Sequence, residues 1–246
     1  MENKININEI KEKISDRLKE SGWSKVLKSY IFSNDFEDSI KKLVTFVSQD
    51  QRFTPPLKNI FRAFEECPLN KLKVVVIGQD PYPQLNVADG ISFSCSKTGK
   101  EQPSLRFIFN EIERTVYSPE IPQEDSMILR EGYNPDLKRW SNQGVLMLNT
   151  TLTCEIGKIG SHYDVWKTFT SYLFDYLNSN HTGLIYIFMG RKSQEWSDLI
   201  NDDLNYKINV KHPASGVYSK TGWDCNDMFN EVNKILKNNI NETIIW

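Results

Sequence analysis

Apolar residues at Ile7, Ile10, Ile14 and Leu18 recur at helical spacing, and Phe36 to Val47 repeats the pattern. Residues 7–50 are therefore expected to be helical, with Asn34 or Asp35 capping the second segment. Thr54-Pro55-Pro56 stops that run, and a short helical stretch is expected from Leu57 to Phe64. Beyond it the pattern changes. Lys73–Ile77, Gly144–Leu148, Leu184–Met189 and Tyr206–Val210 are short continuous runs rich in β-branched and aliphatic residues. Runs of this kind fit strands buried on both faces. Helical patterns separate them, at Leu105 to Val116, Trp166 to Leu177, Ser193 to Ile200 and Trp223 to Leu236. Strands alternating with helices predict an α/β fold: a central, mostly parallel four-stranded sheet flanked by helices on both faces. Residues 1–246 are read as a single domain, with 1–50 its N-terminal helical part. Tyr117 to Lys138, polar and proline-containing, reads as a surface loop without a domain boundary.

Composition narrows the function classes. The 246 residues carry a net charge of −2, with 39% hydrophobic and 12% aromatic residues, so disorder is not expected. Such a balance leans against a nucleic-acid partner, because proteins that track phosphates usually carry a basic excess. The four cysteines lie far apart, without a CxxC pair, and there are only three histidines. A zinc site is not expected, nor a disulfide framework, and a reducing compartment is the natural reading. No apolar run approaches the roughly 18 residues of a membrane span. The N-terminus shows no apolar signal core. The expected location is cytoplasmic, or nuclear for a eukaryotic or viral source, without membrane association.

Each predicted strand ends in unusual polar chemistry, and in open α/β sheets ligands sit beyond the carboxyl ends of the strands. The first strand runs into Gly78-Gln79-Asp80-Pro81-Tyr82-Pro83, where two prolines stiffen the loop around Asp80 and Tyr82. Asp80 could equally be an ordinary helix or turn cap. The second strand ends in Asn149, whose planar amide suits reading an amide-like ligand edge but also suits a turn. The last ends in Lys211-His212-Pro213-Ala214-Ser215-Gly216. His212, held extended before proline, could serve as acid, base or neutral donor, or be a satisfied structural residue.

Taken in order, these motifs resemble those of the family-1 uracil-DNA glycosylases. The family's GQDPYH reads GQDPYP at Gly78–Pro83. Gly90–Ser94 (GISFS) is similar to its GLAFS, and Gln102–Leu105 (QPSL) to its PPSL. Trp140–Thr153 (WSNQGVLMLNTTLT) is similar to its QGVLLLN block, Ser161-His162 with Trp166 to its SH…W element, and His212–Ser215 (HPAS) to its HPSP. Arg52–Phe64 and the terminal Trp246 also sit where the family has counterparts, so the resemblance spans most of the chain.

The resemblance implies a metal-free, cofactor-free enzyme that flips uracil out of DNA and hydrolyses its N-glycosidic bond. Asp80 would be the catalytic carboxylate, stabilising the cationic sugar and orienting water. His212 would donate, neutral, to uracil O2. Asn149 would read O4 and N3–H, Phe93 would stack on the base, Tyr82 would block a C5 methyl, and Gln79 would reach the base edge. DNA contacts would come from Pro103, Ser104, Gly190, Arg191, Lys211, Ser215, Gly216, Val217 and Tyr218. Arg191, Lys192, Lys211 and Lys220 would form a modest basic strip that offsets the acidic average. The expected partner is uracil-containing DNA, single- or double-stranded, with a DNA-mimic inhibitor protein as a candidate, and the chain is expected to be a monomer.

Three departures bear on these expectations. Pro83 replaces the family's His. Gly190-Arg191 replaces a Gly-Ser phosphate loop. Gly216 occupies the region of the intercalating Leu, leaving Val217 or Tyr218 to fill that role. Against the enzyme stand a non-catalytic DNA- or polymerase-binding member of the fold and a glycosylase of shifted specificity. A flavodoxin-like cofactor binder is disfavoured, because GQDPYP is not a glycine-rich phosphate loop.

Overall fold

The computed structural model describes residues 6–117, 134–220 and 222–246. Most of the loop read at Tyr117–Lys138 lies outside them. The strands are β1 (Phe53–Thr54), β2 (Val74–Gly78), β3 (Val145–Asn149), β4 (Cys154–Glu155), β5 (Ile185–Met189) and β6 (Tyr206–Val210). The helices described are α1 (Ile7–Arg17), α2 (Ser24–Ile31), α3 (Asn34–Ser48), α4 (Arg62–Glu66), α5 (Pro103–Thr115), α6 (Lys138–Ser141), α7 (Tyr163–Asn180), α8 (Arg191–Gln194) and α9 (Met228–Ile240).

The four runs read as strands form one parallel sheet in the order β3-β2-β5-β6. Every residue of β2 and β5 is buried, so helices cover both faces of the sheet. Burying each such Val, Ile or Phe contributes about 1.5–3 kcal/mol. β3 and β6 are the two edge strands. β3 is buried over Val145–Leu148, whereas Tyr206–Val210, expected to be covered on both faces, buries only Ile208 and Val210 because polar residues alternate with apolar ones along it. One hydrophobic core runs from Ile14 to Trp246. The N-terminal helices join it through α7: Ser39 Oγ donates to the Val165 carbonyl at 2.7 Å, and Tyr30 Oη and Thr168 Oγ1 are 2.8 Å apart. At the other end Trp246 packs edge-on to Phe229 and Trp140. No helix among the described residues is long and apolar enough to cross a membrane.

Several boundaries differ from the sequence reading. Ser33 caps α3, accepting from the Phe36 N–H at 3.3 Å, so Asn34 and Asp35 fall inside the first turn. The helix read at Ser193–Ile200 is split into α8 and a 3-10 turn at Ser197–Leu199. The helix read from Trp223 begins only at Met228. Asn226 and Asp227 are left-handed, with φ of 53° and 59°, and Trp223 is anchored instead by its Nε1–H on the Lys211 carbonyl at 2.9 Å. Leu57–Phe64 divides between a 3-10 turn at Leu57–Asn59 and α4. The short antiparallel pair β1–β4 was not anticipated, since two-residue strands show no period.

Candidate active site

The parallel register sets Gly78 opposite Asn149 and Met189 opposite Val210, so the strand ends finish level with one another. A cleft of about 360 Å³ opens beyond them, and its lining includes Gln79, Asp80, Tyr82, Phe93, Ser104 and His212. Asn149 lies in an adjoining enclosed space of about 10 Å³, which Tyr82 and Phe93 also line.

Asp80 is half-buried and held at both oxygens. Thr151 Oγ1 donates to Oδ1 at 2.6 Å, and the Gly160 N–H donates to Oδ2 at 3.0 Å. Burial pushes the Asp80 carboxyl above the ordinary carboxylate range, while the hydrogen bonds from Thr151, Gly160 and the Gln79 side chain pull it back. The Gln79 carbonyl is committed to the turn, accepting from the Thr151 N–H at 3.0 Å and the Thr150 hydroxyl at 3.0 Å. Only its side chain and N–H remain to face a ligand.

His212 is held differently. Its Nδ1 accepts the Ala214 N–H at 3.1 Å, which places the ring proton on Nε2. Burial lowers its pKa below the ordinary histidine value, so the ring is neutral at pH 7. Gly190 has φ of +100°, and a Cβ there would lie 2.9 Å from the His212 Cβ, so the loop after β5 needs glycine to let His212 approach.

The base-reading candidates rest on a second scaffold. Gly78 makes room for them, since a Cβ would stand 2.5 Å from Asn149 Oδ1 and 2.7 Å from Ser92 Oγ. Ser92 Oγ donates to Asn149 Oδ1 at 2.8 Å, orienting the amide. Phe93 adopts a left-handed backbone, φ 63°, a conformation costing about 1–3 kcal/mol that surrounding contacts must hold. Tyr82 Oη donates to the Phe93 carbonyl at 3.2 Å. Buried Asp89 ties the same loop down, accepting from Ser94 Oγ at 2.7 Å and the Ser96 N–H at 2.8 Å and pairing with Arg62 at 2.8 Å. The Phe93 ring lies 5.8 Å from that of His212.

Of the remaining candidates Ser104 lines the cleft, and the others lie at the start of α5 and on the segments that follow β5 and β6. Ser104 is buried at the start of α5, behind exposed Pro103. Gly216 is buried against Phe107 and Trp223, whereas Val217 and Tyr218 project outward, 63% and 93% exposed. Ser215 is half-buried. Arg191, Lys211 and Lys220 are exposed and make no ion pair among the described residues, whereas Lys192 pairs with Glu195 at 2.8 Å.

Thr151, Gly160, Ser92 and Asp89 were not singled out from the sequence. Asp80 and Thr151 each stand two residues beyond the Gly78–Asn149 pair, so the register would have brought them side by side. The Ser161-His162…Trp166 motif supports the turn that delivers Gly160. Trp166 Nε1 donates to Thr153 Oγ1 at 2.7 Å, Thr153 Oγ1 lies 2.8 Å from His162 Nδ1, and His162 stacks on Phe46.

Comparison with known proteins gives the family. The uracil DNA glycosylase superfamily model matches residues 64–237. A uracil-DNA glycosylase of Acinetobacter baumannii is 33% identical over 237 residues, which is 96% of this chain and 95% of that protein. The crystal structure of mimivirus uracil-DNA glycosylase shares the fold, with a TM-score of 0.79 at 24% identity over 99% of this chain and 90% of that one. A mimivirus UNG with one tyrosine replaced by leucine, in complex with UGI, matches with a TM-score of 0.76 at 26% identity, over 91% of this chain and 87% of that one. The chain belongs to the uracil DNA glycosylase superfamily.

Proposed function

We propose that this protein is a monofunctional uracil-DNA glycosylase, which hydrolyses the N-glycosidic bond of a flipped-out uracil and leaves an abasic site for base excision repair. The observation that carries this reading is the pairing of a hydrogen-bonded carboxylate and a neutral histidine in one cleft. Bond cleavage makes the sugar cationic and the leaving uracil anionic. Asp80 supplies negative charge to the first and orients the attacking water. The His212 Nε2–H supplies a preset donor to the second, at no cost in proton transfer.

Base selection follows from the neighbouring residues. Phe93 stacks on the base, and Tyr82, pinned through its hydroxyl, closes the space a thymine methyl would need. Asn149, with one lone pair of Oδ1 taken by Ser92, keeps an N–H for O4 and a lone pair for N3–H, the reverse of the pattern cytosine presents at its 4-amino group. Ser104 and Ser215 meet phosphates through their hydroxyls, and Arg191, Lys211 and Lys220 add charge. Pro103 and Gly190 shape the loops beside them, with the Gly190 N–H already held by the Val210 carbonyl at 2.9 Å. Tyr218, 93% exposed at the end of the turn that follows His212, fills the stack behind the flipped base, with Val217 next to it. A DNA-mimicking inhibitor protein would meet the same rim.

The test is release of free uracil from single- and double-stranded oligonucleotides. The parent releases uracil and neither thymine nor cytosine. Tyr218→Ala loses more on paired duplex than on single strands. Absence of release from either form leaves only a non-catalytic DNA-binding role, and an equal loss on both forms removes Tyr218 from the wedge position.

A further inference from the structure

We propose that Thr151 is a positioning residue for Asp80: its buried hydroxyl, together with the Gly160 N–H, fixes the carboxylate in the cleft and keeps it anionic. This rests on the glycosylase reading above. Thr151 is 1% exposed, so water does not stand in for its hydroxyl. The hydroxyl has one proton and two acceptors in reach, Asp80 Oδ1 at 2.6 Å and the Gln79 carbonyl at 3.3 Å, and the shorter contact goes to the charged group. The Thr151 N–H holds the Gln79 carbonyl at 3.0 Å, so the hydroxyl is delivered from a pinned backbone.

The groups around Asp80 supply no competing charge. Gln79 is neutral. Buried Cys154 is a neutral thiol, its pKa pushed up to about 12 by burial. His212 across the cleft is neutral at pH 7. Among the described residues no lysine or arginine pairs with Asp80. A half-buried carboxylate without a cation depends on hydrogen bonds to stay ionised. Pro83, which brings neither a charge nor a side-chain donor to this loop, leaves that task to Thr151, Gly160 and the Gln79 side chain, in descending order of effect.

The experiment compares the pH dependence of uracil release for the parent, Thr151→Val, Thr151→Ala and Thr151→Ser. The valine variant keeps the volume and removes the donor. It is expected to move the acid limb of kcat upward by about one pH unit, as loss of one hydrogen bond to a charged group implies, and to lower kcat at pH 7 by about tenfold with KM little changed. The alanine variant shifts the limb alike, so whichever of the two folds gives the reading. Serine keeps the hydroxyl and is expected to restore the parent's limb. A valine or alanine variant with the parent's acid limb and kcat overturns the proposal, as does a serine variant that shifts like valine. A parent that releases no uracil overturns the glycosylase reading itself, which separates the two failures.

Discussion

Asp80 and His212 face the same cleft and are both partly withdrawn from water, yet they are held in opposite ways. Asp80 receives hydrogen bonds, from Thr151 and Gly160, and both favour the charged form. His212 receives one, from the Ala214 N–H, at the nitrogen that must carry no proton. Burial raises the pKa of the acid and lowers that of the base, so by itself it would neutralise both. The direction of the hydrogen bonds separates them, opposing burial at Asp80 and reinforcing it at His212. One cleft thus holds a hydrogen-bonded carboxylate beside a neutral histidine, the pair on which the proposed mechanism rests.

This contrast can be broken at either end. Asp80→Asn keeps the shape and removes the charge, and uracil release in single-turnover assays should fall by about 10³-fold. A loss within tenfold would remove the anion from the mechanism. His212→Gln should cost about 10²-fold. It should also change the acid limb. In the parent, two groups must be free of an added proton, Asp80 and His212, whereas the variant should follow a single protonation. A parent limb already of unit slope would show that only one of them titrates in the working range.

His162 sharpens the comparison, because it is the His212 arrangement without a cleft. Burial lowers its pKa from 6.5 to about 4, despite the opposing pull of Glu155. A histidine depressed in the fold contributes stability that is complete above the unfolded value and is lost as pH falls from 6.5 through about 4. The expected loss is about 3 kcal/mol, read by denaturant unfolding at pH 7.5 and 4.5. His162→Gln should remove that part of the slope. The smallest effect belongs to the rim. Lys211→Gln should reduce the salt dependence of DNA binding by about one unit of slope, with little change in catalysis. A larger change in catalysis than in salt slope would move Lys211 from the rim into the reacting site.

The acidic average of the chain leaned against a nucleic-acid partner, and the structure shows why that average misled. Arg191 and Lys211, exposed on the segments that follow β5 and β6, and Lys220 make no ion pair among the described residues, while acidic groups are paired elsewhere, as Asp89 and Asp136 are with Arg62. Net charge sums over a surface, and contact with phosphate samples only part of it.

Much of this protein was legible in its order of residues. Val74–Ile77, Val145–Leu148 and Ile185–Met189 declared buried parallel strands, because continuous apolar runs satisfy two covered faces. Tyr206–Val210, also expected to be covered on both faces, is instead a strand with only Ile208 and Val210 buried. Asp80, Asn149 and His212 could be placed at the strand ends because each lies within three residues of the end of such a run. The partners of these residues could not be read. Thr151 reaches Asp80 across 71 residues, and Gly160 across 80, only because β2 and β3 pair in one register. Ser92 reaches Asn149 across 57. Local periodicity dictates which segments become strands and which chemistry ends each one. The hydrogen bonds that set protonation and orientation join residues distant along the chain, and only the tertiary fold brings donor and acceptor within 3 Å.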